Sequence, residues 1–237
     1  MREVLIGFGV VLLYFIVCAS LALLLRLFTR VPTEVFRKLL HFILLGSLLV
    51  WTFAFSTWWL AALTAVIFAI AVFPVLALGE RLKGYSEFLT ERKSGELKNS
   101  LLLVFFMFAA VIAVCWGWLN DRLLALACIY AWGIGDAAAA LIGKRFGKHS
   151  VKWKGLDGKK SAEGTVAMFT VSFLSVLTIL LVRGGLAWYG YLVAALVTAA
   201  VSALVELYTR NGMDTVSCPL SAMAVLLPMV SFFGGLA

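Results

Sequence analysis

Eight apolar runs, each near the ~20 residues that a helix needs to cross a bilayer, follow one another along this chain. They fall at 4–27, 37–55, 57–79, 99–119, 122–143, 162–182, 186–209 and 216–236. Repetition of that kind excludes a soluble domain with one anchor. With 63% hydrophobic and 14% charged residues, the composition lies far from the near-half apolar content of soluble domains. The expected architecture is all-α and polytopic, a single transmembrane domain over 1–237. The first run, Val4 to Phe28, is too long for a signal-peptide core and has no clear small-residue cleavage site, so it is expected to be retained. The second and third runs meet at Ser56, which forces a tight antiparallel hairpin, and Pro74 is expected to kink the third. No internal repeat is evident, which argues against a duplicated transporter.

Charge fixes an expected orientation. Of the twenty Lys and Arg residues, all but Arg2, Arg122 and Arg183 fall on one side of an eight-span arrangement. Such a bias marks the cytoplasmic side, so both termini are expected outside and the long loops inside. The net charge of +8 is explained by these loops, and nucleic acid is not an expected partner. The four cysteines, Cys18, Cys115, Cys128 and Cys218, form no C-x-x-C pair and read as small apolar fillers. Compact length and the lack of a transit peptide point to a prokaryotic cell membrane.

The chemistry concentrates between Gly133 and Thr165. Asp136 stands inside an apolar run, where an ionised acid is costly and functional use is the default reading; the duller one is a structural ion pair. Beyond Gly143 and Gly147 the loop carries Lys144, Arg145, Lys148, Lys152, Lys154, Lys159 and Lys160 against one acid, Asp157. The chain re-enters apolar sequence at Ser161-Ala-Glu163-Gly164, where free N–H groups and a positive helix end favour phosphate. GLDGKKS is not a Walker A loop, because two residues rather than four separate Gly155 from Gly158. Other polar residues gather at the same expected face: Glu34, Arg37, Lys38 and His41 on one helical face, Glu96, Lys98 and Asn99, Glu206, and Asp214. The outer half has no comparable group. Arg37 and Lys38 read equally well as headgroup anchors, His41 as a packed histidine, and Gly135, Ala139 and Gly143 as small residues for close helix approach.

Four motifs resemble the polyprenol kinase family, which includes dolichol kinase, phytol kinase and the CTP-dependent diacylglycerol kinase. They are E-x-x-R-K-x-x-H at Glu34–His41, R-K-S-G-E-L at Arg92–Leu97, G-D-x-x-A-x-x-x-G-x-x-F-G at Gly135–Gly147, and G-K-K-S-x-E-G-T at Gly158–Thr165. A weaker match is D-T-V-S-C-P-L at Asp214–Leu220, where Thr215 replaces the family's usual Asn. The resemblance implies transfer of the γ-phosphoryl group of CTP to a lipid alcohol, with a divalent metal such as Mg²⁺. On that expectation Asp136 holds the metal or accepts the hydroxyl proton, Glu206 and Asp214 are further metal ligands, and Lys160 and His41 join Asp136 as catalytic candidates. Nucleotide binding falls to Arg37, Lys38, Lys144, Gly147, Lys159, Ser161, Glu163 and Gly164. A cytidylyltransferase that makes a CDP-lipid from a lipid phosphate is the alternative. A transporter for an anionic solute would want polar residues in both leaflets.

Overall fold

The computed structural model describes residues 2–81, 85, 95–151, 160–209 and 212–234. Among them, eight helices are long and apolar enough to cross a membrane. They are α1 (Arg2–Phe28), α2 (Thr33–Ala54), α3 (Trp58–Gly79), α4 (Glu96–Val111, continued by π-helical turns over Ile112–Trp118), α5 (Arg122–Phe146), α6 (Ala162–Arg183), α7 (Trp188–Tyr208) and α8 (Asp214–Phe232). The protein is an all-α polytopic membrane protein. Helix ends lie within a few residues of the apolar runs. The clearest extensions are the starts of α2 and α4 and the end of α5, where charged residues continue the helical hydrogen bonding past the apolar stretch. Helix α3 runs on through Pro74 to Gly79.

The chain forms two compact units, residues 1–113 and 114–237, and the division falls inside the π-helical turns of α4. Unit 1 contains α1 to α3 and most of α4, with α1 packed on α2 and α3 on α4. Its core is aromatic. Trp51, Phe55, Phe68, Phe105 and Phe108 are buried. Trp51 stacks on Phe55 at 5.9 Å between centroids, and Phe105 meets Phe68 edge-on at 5.4 Å, the geometries that ring quadrupoles favour.

Unit 2 is a ring of four helices, α5 on α6, α6 on α7, α7 on α8 and α8 back on α5, with α5–α6 the most extensive pairing. Its core mixes small side chains, among them Ala127, Ala131, Ala194, Ala195, Ala199 and Ala222, with larger ones such as Ile129, Met168, Leu180 and Leu226. Small residues let helix backbones approach closely, which is how transmembrane helices associate without a hydrophobic force between them. The Gly135, Ala139, Gly143 stripe serves this purpose. A Cβ at Gly164 of α6 would stand 3.0 Å from the Ala139 carbonyl oxygen and 3.4 Å from the Gly143 Cα. Deeper along the same seam, the Ser172 hydroxyl donates to the Ala131 carbonyl at 2.5 Å. At the opposite end of unit 2, Asp121 caps α5 by accepting the Leu124 N–H at 2.9 Å, and it pairs with Arg183. Large side chains such as Leu5, Val75, Leu181 and Trp188 stay exposed on the helix faces, as lipid-facing positions require. Cys115, Cys128 and Cys218 are buried as free thiols.

Candidate functional site

The acids of unit 2 converge beside the middle of α5, where α7 ends and α8 begins. Glu206, one turn from the C-terminus of α7, is 9% exposed and receives Lys160 Nζ at 2.8 Å. The same ammonium donates to the backbone carbonyl of Glu206 and, at 3.2 Å, to that of Thr209. Lys160 therefore caps the last carbonyls of α7 as well as pairing with its acid, the placement that a helix C-terminus favours for a cation. Asp214 opens α8, and its Oδ2 accepts the indole N–H of Trp132 at 3.3 Å. Trp132 lies one helical turn before Asp136 on α5, on the same face. Asp136 is half-buried. Asp136 and Asp214 both lie within electrostatic reach of Glu206, and all three acids act on the buried Cys218 thiol. Three of the acids and one lysine expected from sequence thus share one end of unit 2. Trp132 is a member that the sequence did not single out.

The neck of the central loop is built beside them. Gly147 follows the end of α5, and Ser161 caps α6, its hydroxyl accepting the Gly164 N–H at 3.1 Å. Ser161 sits in a glycine pocket. Its Oγ would be 3.1 Å from a Cβ at Gly143, 2.7 Å from one at Gly147 and 3.2 Å from one at Gly164. The Ala162 N–H donates to the His149 carbonyl and the Val151 N–H to the Lys160 carbonyl, both at 2.9 Å. Glu163 receives the His149 ring Nδ1 at 2.7 Å, with the His149 backbone N–H at 3.3 Å from both carboxylate oxygens. Several first-turn groups of α6 are therefore engaged within the protein, and Glu163 sets a carboxylate at that positive helix end. His149 was not legible as Glu163's partner. Lys144 lies exposed in the last turn of α5. Lys159 lies outside the described residues, as do Arg92, Lys93 and Ser94.

Arg37, Lys38 and His41 belong to unit 1. Arg37 pairs with Glu34 at 2.8 Å along α2, Lys38 is buried at 7% exposure, and the His41 ring is half-buried. All three line an open-sided cavity of about 560 Å³ between α1, α2, α3 and α4, with Glu96 and Ser100 at the start of α4. Its other walls are almost entirely aliphatic or aromatic. Nearby, Lys98 ties α4 to the end of α3 through Glu80 at 2.5 Å.

Among the described residues, no three His, Cys, Asp or Glu side chains stand close enough to enclose a metal ion. The donor set still suits Mg²⁺, which takes one or two carboxylates and completes its octahedron with waters and substrate phosphates. Lys160 engages Glu206 and Trp132 engages Asp214, and with Asp136 these are the carboxylates that would hold such an ion.

Fold and site together define a multi-pass membrane protein with an acid–lysine cluster at one end of a four-helix unit. No protein-family model matches the chain, and no solved structure does. Over 97 residues it is 36% identical to the phytol kinase of Synechocystis sp., a stretch covering 41% of this chain and 40% of that relative's length.

Proposed function

We propose that the protein is a CTP-dependent lipid kinase that transfers the γ-phosphoryl group to the hydroxyl of a long-chain isoprenoid alcohol. The observation that carries this reading is the gathering of Asp136, Glu206 and Asp214 with Lys160 at one end of unit 2. Phosphoryl transfer asks a protein for positioning and charge neutralisation more than for covalent chemistry, and acids with a lysine supply both. The similarity to a phytol kinase supports the same class.

In the proposed step the alcohol oxygen attacks the γ-phosphorus, and the bond from that phosphorus to the β,γ-bridging oxygen breaks. CDP leaves with the electron pair, and the hydroxyl proton passes to Asp136. Asp214, fixed through one oxygen by Trp132, would hold a divalent metal, and that metal would supply the charge that offsets the triphosphate. Lys144, Lys159 and Lys160 provide cations toward the phosphates, and Lys160 also keeps the start of α6 pinned to the end of α7. The glycine pocket of Gly143, Gly147 and Gly164 keeps Ser161 seated at the loop neck. The Lys/Arg asymmetry supports a cytoplasmic position for this end, both termini outside, and residence in a cell membrane.

The test is label transfer with detergent-purified protein, Mg²⁺ and a panel of lipid alcohols, offering γ-labelled CTP and ATP separately. Label in a lipid product with CTP is the expected result. Diphosphate released from CTP by a lipid phosphate, with no labelled alcohol product, would replace the kinase by a cytidylyltransferase.

A further inference from the structure

The open-sided cavity of unit 1 has two chemically different ends. Along α1 its lining runs from Leu12 to Leu23, about 16 Å at 1.5 Å per residue and roughly one leaflet of a ~30 Å hydrocarbon core. The polar lining side chains Arg37, Lys38, His41, Glu96 and Ser100 all lie in the opening turns of α2 and α4, at the end where α1 finishes. Away from that mouth the lining is apolar, with Phe15 stacked on Phe68 at 4.9 Å.

Charge separates the occupants that such a shape admits. Among the described residues, this end of unit 1 carries Arg26, Arg30, Arg37, Lys38, Arg81 and Lys98 against the acids Glu34, Glu80 and Glu96. Glu34 is matched by Arg37 at 2.8 Å and Glu80 by Lys98 at 2.5 Å, so the surplus at this end is positive. The cavity lining itself sets Arg37 and Lys38 against one acid, Glu96. Arg37 spends Nη2 on Glu34, and a guanidinium has five N–H donors in a fork that suits phosphate. An anionic head is therefore favoured at this mouth over a neutral or zwitterionic one. Basic pockets between transmembrane helices hold anionic head groups in this way, and the cytoplasmic leaflet is rich in them. The Lys/Arg asymmetry supports that leaflet for this end.

We propose that the cavity is a binding site for an anionic phospholipid of the surrounding bilayer. Its phosphate lies at Arg37 with Lys38 beside it, and one acyl chain follows the apolar shaft against α1 and α3. The open side leaves the second chain in the bilayer, so chain number and length are not limited by the cavity volume. The lipid is a bound component of unit 1 and not a reactant, and it makes no demand on Asp136 in unit 2.

Photolabelling of the full-length protein in detergent, with neither nucleotide nor lipid alcohol present, tests this. The probe is phosphatidylglycerol with a diazirine in one acyl chain, and its sites are mapped by peptide sequencing. Label is expected on α1 between Leu12 and Leu23 and on Val72 or Leu76 of α3. Unlabelled phosphatidylglycerol should compete at least about fivefold better than phosphatidylcholine with the same chains, the factor that one cation near an anionic head contributes. Arg37→Gln should erase that preference and keep the label map, while Ala19→Phe, which fills the shaft, should lower labelling at least about fivefold and keep the preference. Equal competition by phosphatidylcholine, label away from these positions, or an undiminished preference in folded Arg37→Gln would overturn the proposal. Displacement of the probe by inorganic phosphate alone, or by a prenyl monophosphate at least about fivefold better than by phosphatidylglycerol, would overturn it as well, assigning the mouth to a soluble anion or to a phosphorylated lipid product. Should either variant fail to fold, the wild-type label map and the competition decide. With no nucleotide present, the labelling is read independently of any label transfer from CTP.

Discussion

Unit 1 and unit 2 are both four-helix assemblies, yet the buried aromatic rings concentrate in unit 1. Unit 1 fills its centre with rings, Trp51, Phe55, Phe68, Phe105 and Phe108. Rigid rings hold helices apart and do not collapse into every gap, and a cavity of about 560 Å³ persists beside them. In unit 2, α5 packs on α6 through glycine and alanine, so those two backbones approach closely, and this tight seam holds Ser161 and the loop neck in place. One packing leaves open space between helices, and the other fixes a frame for charged groups.

This contrast breaks most severely at the acid cluster. Asp136→Asn is expected to lower γ-label transfer by at least about 10³-fold, roughly 4 kcal/mol of transition-state stabilisation, with the melting temperature within a few degrees of the parent. Near-normal turnover would remove Asp136 from the chemistry. Next in size is the seam. Gly164→Val should destabilise unit 2 by about 2–3 kcal/mol, because its first carbon already meets the Ala139 carbonyl. In unit 1, Gly9 has open space where its Cβ would be, so Gly9→Ala should be neutral or gain up to about 1 kcal/mol of helix propensity. Equal losses at the two glycines in thermal melts would erase the packing distinction.

Lys160→Met leaves the Glu206 carboxylate and the last carbonyls of α7 without their cation and should cost about 2 kcal/mol. The double variant with Glu206→Gln should lose less than Lys160→Met alone, and additive losses in the melts would show that the pair does not couple. Smallest is Thr198→Val. Among the described residues the buried Thr198 hydroxyl has no hydrogen-bond partner, so its removal should change stability by less than about 1 kcal/mol, and a larger drop would reveal a partner such as bound water.

Length and hydropathy made the eight helices legible, because a bilayer leaves few other solutions for runs of this size. Asp136 and Glu206 were legible as outliers for the same reason, an acid in an apolar run being hard to overlook, whereas Asp214 stood out only by its place between two runs and by its motif. The small-residue stripe on α5 was legible as spacing, and the structure adds what it faces. Partners were not readable. Lys160 was a catalytic candidate from its place in the basic loop, and only the fold brings it across to Glu206 and the end of α7. His149 with Glu163, and Trp132 with Asp214, likewise depend on contacts distant in sequence or across a turn of irregular backbone. The two-unit division falls in the π-helical turns of Ile112–Trp118, where the sequence IAVCWGW carries no proline or charge to announce it. The cavity was hidden because a one-dimensional pattern shows which residues are apolar, not how much room rings leave between helices.

Steady-state kinetics of Asp136→Asn with γ-labelled CTP and a twenty-carbon prenol test the proposed chemistry of unit 2 most directly. The prediction is a collapse of kcat with little change in lipid KM. Wild-type kcat in a folded Asp136→Asn would contradict the assignment of chemistry to this acid.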